Sequence, residues 1–416
     1  RGTVADMSAA IDRCGTAGTR WARGNRVLVA LAVLAVAWSA PTAADADERW
    51  ERFGGTVEEF YVVPDPLPPG APGELIRVQQ VAETPDHVTV RIMYHSRDAA
   101  GRDRAVTGTL TYPTAPPPSG GWPVVSTANG TVGMASHCAL SRRARSAPTW
   151  GLPVVAVATD YIGLGPVGEL HPYLSRVSEA NSVIDAVRAA RNLRAAHAGR
   201  RWMAIGASQG GHGALSANEL GADRAPELDL LGSVALAPGA MFERSYGGID
   251  PFIVRVLSAM GLYGAATEYP EIVPEDYVTP AVTAVARAVH TGCLPEITAA
   301  FLSVPFDGFY EGLLGYTCTT VDEPVLVVQG TADTTVVAAR TRDLVTRMCG
   351  NGQVLSYLEL EGADHGDVGA RGYDAIRAWM DARLGGEPPP STCPLPVVVP
   401  GSASVVEGDR GTVALR

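Results

Sequence analysis

The sequence predicts an α/β protein, a mostly parallel sheet with helices on both faces and a helical segment inserted before its last strands. Two observations carry this. Short apolar runs that stop at small polar turns alternate with stretches whose apolar residues recur at helical spacing. That rhythm breaks at Pro238 and resumes at Pro324, and residues 239–320 between them are rich in Phe, Leu, Tyr and Gly with no clear strand. With 416 residues, 46% hydrophobic and 19% charged, the chain can bury a large core.

The elements follow in order. Arg20, Arg23 and Arg26 precede an apolar run over 27–37, then Pro41 and the small-residue stretch Ala43-Ala44-Asp45-Ala46. A basic flank, a short apolar core and an A-x-A site predict a secretory signal peptide over 1–46, and the run is too short for a stable transmembrane anchor. A Pro-rich stretch (50–75) leads to β-type runs at 75–81, 87–94 and 105–112, and to short apolar runs at 123–126 and 153–159. Between 177 and 196 the spacing turns helical, with Val183, Ile184, Val187, Ala190 and Leu193 on one face. Strands are expected at 202–205, 230–236, 324–328 and 354–360, and helices after Ser208, at 336–348 and at 368–384. The expected organisation is a core of 47–238 and 321–384, a helical cap at 239–320 and a Pro-rich tail at 385–416.

Composition removes several function classes. All 33 cationic residues are Arg, so a P-loop lysine, a Schiff base and a Ser–Lys dyad are excluded. A net charge of -11 argues against nucleic acid as a partner. Cys14 would leave with the signal, and Cys138, Cys293, Cys318, Cys349 and Cys393 would enter an oxidising compartment where most should pair. None sits at C-x-x-C spacing or beside a His-rich cluster, so no zinc site is expected.

The chemistry centres on Gly206-Ala207-Ser208-Gln209-Gly210. This G-x-S-x-G pattern follows an apolar strand and opens a small-residue helix, the context in which a sharp turn lifts a serine hydroxyl above a sheet. A serine nucleophile needs a base, and the base an orienting carboxylate. Asp333 follows the run at 325–328 and His365 the run at 354–360, so both are expected on loops at the sheet edge that carries Ser208. His171, His212 and His290 are rivals for the base, but none comes just after a late strand. Asp364 adjoins His365 too closely to turn back on its ring, and Asp322 precedes its strand. One oxyanion donor is expected from the Gln209 N–H, the others from Gly130 and Thr131 in the turn after the run at 123–126. Two motifs are read as decoys. The sequon Asn129-Gly130-Thr131 coincides with that turn, and Gly163-Leu164-Gly165-Pro166-Val167-Gly168 is a G-x-G-x-x-G without a helix to hold a pyrophosphate.

The order Ser, Asp, His is that of the α/β-hydrolases. Phe60-Tyr61-Val62-Val63-Pro64, the Asn-Gly-Thr turn, Asp160-Tyr161-Ile162-Gly163-Leu164-Gly165 and His171-Pro172-Tyr173-Leu174, with the elbow, Asp333 and His365, span nearly all of the chain after residue 46. In these the chain resembles the secretory lipase family, the lipase-A type of yeasts and its actinobacterial relatives. The resemblance implies an α/β-hydrolase fold, extracellular hydrolysis of acylglycerols or simpler carboxylic esters, and a cap that holds the acyl chain. It implies disulfides Cys138–Cys293 and Cys349–Cys393, with Cys318 left free. Relatives often carry His where this chain has Asn129.

The expected reaction is acyl transfer to water through an acyl-enzyme on Ser208, with no metal or organic cofactor required. The substrate is expected to be a small-molecule ester or acylglycerol, most simply a triacylglycerol, with contact to a lipid interface through the cap. Candidate acyl contacts are Phe252, Ile253, Val256, Leu257 and Phe301, then Leu302, Phe306, Phe309 and Leu313; most of these also suit the core of a helical subdomain. The alternatives are a short-chain carboxylesterase or acyltransferase with the same triad, a non-catalytic binding protein on the same fold, and an exported peptidase.

Overall fold

The computed structural model describes residues 50–240, 251–304, 321 and 323–393; the expected signal segment, Cys318, Phe306, Phe309, Leu313 and the end of the tail lie outside these. After a two-residue strand β1 (Glu51–Arg52) and one helical turn α1 (Val57–Phe60), three strands run as an antiparallel meander: β2 (Leu75–Glu83), β3 (His87–Arg97) and β4 (Asp103–Pro113). Then come β5 (Trp122–Ala128), β6 (Val155–Thr159), β7 (Ala198–Ala207), β8 (Asp229–Leu236), β9 (Val325–Gly330) and β10 (Leu355–Leu360), all mutually parallel. The ten strands form one sheet in the order β1-β2-β3-β4-β6-β5-β7-β8-β9-β10, and β4 joins β6 antiparallel at the seam.

The period-2 alternation of side chains sorts the parallel strands onto two cores. Val124 of β5 and Trp202 and Ala204 of β7 face α2 (Arg176–Asn192), packing with Val183, Ile184 and Val187. Their neighbours Val125, Met203 and Ile205 face the other way, onto Ile376, Trp379 and Met380 of α9 (Tyr373–Gly385). Every residue of β6 and of β9 is buried, the pattern of strands covered on both faces. Leu215 of α3 (Gln209–Arg224) and Leu344, Val345 and Met348 of α7 (Ala338–Gly350) close over Ala235, Val325 and Val327.

Two helices differ from their expected lengths. α2 stops at Asn192, because Leu193 takes extended backbone angles (φ -85°, ψ 95°) and a 3-10 turn follows. The late helix is two, α8 (Val368–Arg371) and α9, divided at Gly372, a residue that costs about 1 kcal/mol in a helix interior.

Among the described residues between β8 and β9 lie three inserted α-helices, α4 (Pro251–Ala265), α5 (Pro280–Thr291) and α6 (Leu294–Phe301). Pro280 is the first residue of α5 and Pro295 the second of α6, positions whose N–H no helix uses. They share an apolar core of their own, with Val256, Met260, Val282, Ile297 and Phe301, that Met134 and Tyr173 of the body join. The disulfide Cys138–Cys293 (Cα–Cα 5.4 Å) ties them to the loop after β5, beside hydrogen bonds from Met134 N to Gly292 O (3.2 Å) and Leu294 N to Val132 O (2.8 Å). Gly133, at φ 134°, passes so close that a Cβ would stand 2.4 Å from Cys293 Cα. A second disulfide, Cys349–Cys393, fastens α7 to the tail. Both pairings are those the family resemblance implies. Among the described residues no helix is long and apolar enough to cross a membrane.

Asp160, at the end of β6, is 2% exposed. It accepts from Ser141 N (3.0 Å), Thr107 Oγ1 (2.8 Å) and Ser141 Oγ, and burial still pushes its carboxyl up from 3.8 to about 6. Between these two values the folded chain keeps a proton that the unfolded chain has lost. Stability from this group is therefore complete below about pH 4 and is lost as pH rises through about 6. Asp160→Asn can accept from Ser141 N and donate to the two hydroxyls. We expect the variant to lose less stability than wild type between pH 4 and pH 7.5, by at most about 3 kcal/mol. Denaturant melts at both pH values measure this, and equal losses would refute it.

Candidate active site

Because β5 to β10 are parallel, their C-terminal ends share one edge, the usual location of sites in open α/β sheets. At the end of β7 the chain turns directly into α3, and Ser208 occupies the turn at φ 58°, ψ -119°. A side-chain-bearing residue there is strained by about 1–3 kcal/mol. Neighbouring backbone holds it. Ser208 N donates to Leu236 O (2.9 Å), and Ser208 O accepts from Gly239 N (2.8 Å) and His212 N (3.1 Å). The flanking glycines are a steric requirement. A Cβ on Gly210 would stand 2.0 Å from Ala128 O, and one on Gly206 would stand 2.2 Å from Gly210 O.

Asp333 lies in the loop after β9 and His365 in the loop after β10, and the structure joins them: His365 Nδ1 donates to Asp333 Oδ2 at 2.7 Å. Asp333 is 3% exposed, and its other oxygen accepts from Thr335 N and Val336 N, both at 2.8 Å. Gln329 Nε2 adds a weaker donor to Oδ2 at 3.2 Å. The His365 loop lies over the ends of β9 and β8. A Cβ on Gly330 would stand 2.3 Å from Ala363 O, and Val368 packs with Leu236 and Ala237. Ser208 Oγ forms no hydrogen bond among the described residues, to His365 or to any other side chain. Catalytic serine–histidine bonds are often long before substrate arrives. Asp364 turns away and caps Gly366 N and Asp367 N (2.8 and 2.9 Å).

The turn at 129–131 rests against the elbow. A Cβ on Gly130 would lie 3.3 Å from Ala207 O. Among the described residues the N–H groups of Gly130 and Thr131 meet no backbone acceptor. Asn129 donates its side-chain amide to Thr159 O (2.7 Å), so the nitrogen a glycan would occupy is committed inward. Gly163 and Gly165 (φ 79° and 97°) belong to a tight loop, and the next helix opens only at Arg176. That loop holds no pyrophosphate cradle.

Behind the elbow lies a buried polar cluster that the linear motifs do not contain. Glu179, fully buried on α2, accepts from Gln209 Nε2 (2.8 Å), Leu174 N (3.1 Å) and His212 Nδ1 (2.6 Å). Gln209 Nε2 also meets His171 Nε2 at 2.7 Å. His171 and His212 thus serve in this cluster rather than as the base, and His290 lies exposed on α5. A signal for Glu179 was present in the sequence. It precedes Val183 by four residues and Val187 by eight, on the stripe that α2 buries, where a carboxylate needs partners.

The candidate acyl contacts divide. Val256 and Phe301 are fully buried in the core of the inserted helices, and Phe252 and Leu257 are partly buried against it. Ile253 is partly exposed, and Leu302 is 76% exposed. His137 comes near Cys138 and Cys293, but the disulfide consumes both thiols, so these three cannot ligate a metal.

The chain has the α/β-hydrolase fold. It superposes on Candida antarctica lipase A in its closed state with a TM-score of 0.64 at 18% identity, covering 79% of this chain and 86% of that one. A rice cell wall degrading esterase of Xanthomonas oryzae gives a TM-score of 0.62 at 18% identity, covering 77% of this chain and all of that one. Among curated proteins none matches significantly in sequence. Residues 150–312, from the approach to β6 through the inserted helices, match the family model described as secretory lipase, so the resemblance carried by the motifs is a resemblance to that family.

Proposed function

We propose that the chain is a serine hydrolase of carboxylic esters, and within that class a secreted triacylglycerol lipase. The observation that carries this reading is the His365–Asp333 hydrogen bond at the sheet edge where Ser208 stands in a strained turn. Ser208 Oγ attacks the ester carbonyl while His365 Nε2 takes its proton. Asp333, surrounded by N–H donors, keeps the proton of His365 on Nδ1 and stabilises the imidazolium that forms. The N–H groups of Gln209, Gly130 and Thr131 receive the oxyanion. His365 then protonates the leaving alcohol, and water repeats the cycle on the acyl-enzyme. The inserted helices, as a cap over 239–320, would hold the acyl chain, and exposed Leu302 would meet a lipid surface. Two disulfides and the apolar segment at 27–37 favour export.

Hydrolysis of a C2-to-C18 ester series by wild type and Ser208→Ala tests the proposal. We expect kcat to fall on the order of 10⁶-fold in the variant. Activity that survives would end the nucleophile assignment. Preference for acyl chains beyond C8 supports a lipase, and a maximum at acetyl would make the protein a short-chain esterase.

Asp333→Asn makes a sharper demand. The amide oxygen must take the Oδ1 position, which accepts two backbone N–H groups, so the NH₂ faces His365 Nδ1. The imidazole then carries its proton on Nε2 and cannot accept one from Ser208. The expected result is a loss of about 10⁴-fold in kcat in a fully folded protein. A loss below tenfold would remove Asp333 from the mechanism.

A further inference from the structure

Gln209 carries two duties if the reading above holds: its N–H faces the oxyanion, and its side chain runs the other way, into the protein. That side chain is 1% exposed for the whole residue, and both hydrogens of its amide have acceptors, Glu179 Oε1 at 2.8 Å and His171 Nε2 at 2.7 Å. The acceptor at His171 is set by its other nitrogen. Nδ1 lies 2.8 Å from Ile162 O, a carbonyl that can only accept, so Nδ1 holds the proton and Nε2 presents its lone pair. Two acceptors therefore face the Gln209 amide nitrogen, and its orientation has one solution.

Glu179 is the centre of this arrangement. A buried carboxylate costs several kcal/mol unless hydrogen bonds replace its water. Its three donors come from three places: Leu174 N in the loop before α2, Gln209 at the first position of α3, and His212 one turn further on. The loop that supplies His171 and Leu174 also supplies Tyr173, whose hydroxyl lies 2.8 Å from Thr131 Oγ1. Tyr161, stacked on His171 with ring centroids 5.5 Å apart, donates its hydroxyl to Asn129 O (2.8 Å). Both halves of the oxyanion site are thereby tied to one buried frame.

We propose that Glu179, acting through the Gln209 side chain and with His171 as its partner, is a positioning residue that holds the Gln209 N–H in place for the oxyanion. This inference rests on the ester-hydrolase reading and deepens it. Stabilisation of an oxyanion appears in the transition state and not in substrate binding, so the tether should govern kcat and leave KM alone. A cluster that merely pinned α2 to α3 would change stability without that selectivity.

The test uses Gln209→Leu, which keeps the N–H and removes the tether, together with Glu179→Met, which has no acceptor for the Gln209 amide, and the double variant. Each is assayed on p-nitrophenyl butyrate at a temperature where its melt shows it folded. We expect kcat to fall about 10- to 100-fold in each single variant with KM within about twofold, since small displacements of catalytic groups have effects of this size. Binding of a trifluoromethyl ketone, which forms a tetrahedral adduct on serine, should weaken by the same factor. The double variant should be no slower than the worse single, because both substitutions cut one link. Unchanged kcat in folded Gln209→Leu, or a rise in KM alone, would overturn the proposal, and this variant decides even if Glu179→Met fails to fold. Failure of the underlying reading would look different: wild type itself would show no hydrolysis that Ser208→Ala abolishes.

Discussion

The rest of the site depends on one backbone constraint, the turn that takes the chain from β7 into α3 at Ser208. A serine at φ 58° is not a conformation that local preferences supply. It survives because the surrounding backbone leaves no other path. Leu236 O and Gly239 N grip the residue from the β8 side, and Ala128 O stands where any side chain on Gly210 would be. The same close approach that makes glycine obligatory also brings the 129–131 turn beside the N-terminus of α3. One steric fact therefore sets both the exposure of a hydroxyl and the position of the N–H groups that would serve it.

Strand order does the remaining assembly. β5, β7, β8, β9 and β10 are consecutive neighbours and parallel, so loops from residues more than 200 positions apart end on one edge. The inserted helices enter between β8 and β9, and the antiparallel contact of Gly133 with Cys293 returns them to the loop after β5. That contact joins the insertion to the segment carrying Gly130 and Thr131. Met134 and Tyr173, body residues inside the helical core, extend the same junction.

How much of this was legible in the sequence follows from the range of the interactions involved. The parallel strands could be read because burial on both faces leaves unbroken apolar runs such as 325–328, and the elbow because glycines mark a steric contact. The helix end at Asn192 and the break at Gly372 were less visible, since apolar spacing continues across both. β1 pairs through only two residues and left no pattern at all. Within the site, Asp333 and His365 could be placed by strand order, because each follows its strand by a few residues. Glu179 could not be placed in the same way. Its partners come from elsewhere in the fold, and its only trace is a charge on an apolar helix face.

Three buried carboxylates, Asp160, Glu179 and Asp333, lie behind this edge, and among the described residues none has an arginine as a hydrogen-bond partner. The choice is not forced by composition, for the chain has 33 cations and pairs them elsewhere: Asp98 with Arg102 and Arg104, and Asp185 with Arg188. Neutral donors differ from a guanidinium in what they leave behind. An amide or hydroxyl solvates a carboxylate while the negative charge persists in the low-dielectric interior, whereas an adjacent cation cancels its field. In the proposed reaction that distinction matters for Asp333, because an uncancelled charge would stabilise a positive imidazole beside it. For Asp160 the lack of a cation appears as a carboxyl held at about 6, a stability penalty above that pH. The same donor chemistry thus serves the proposed reaction at one position and destabilises the fold at another.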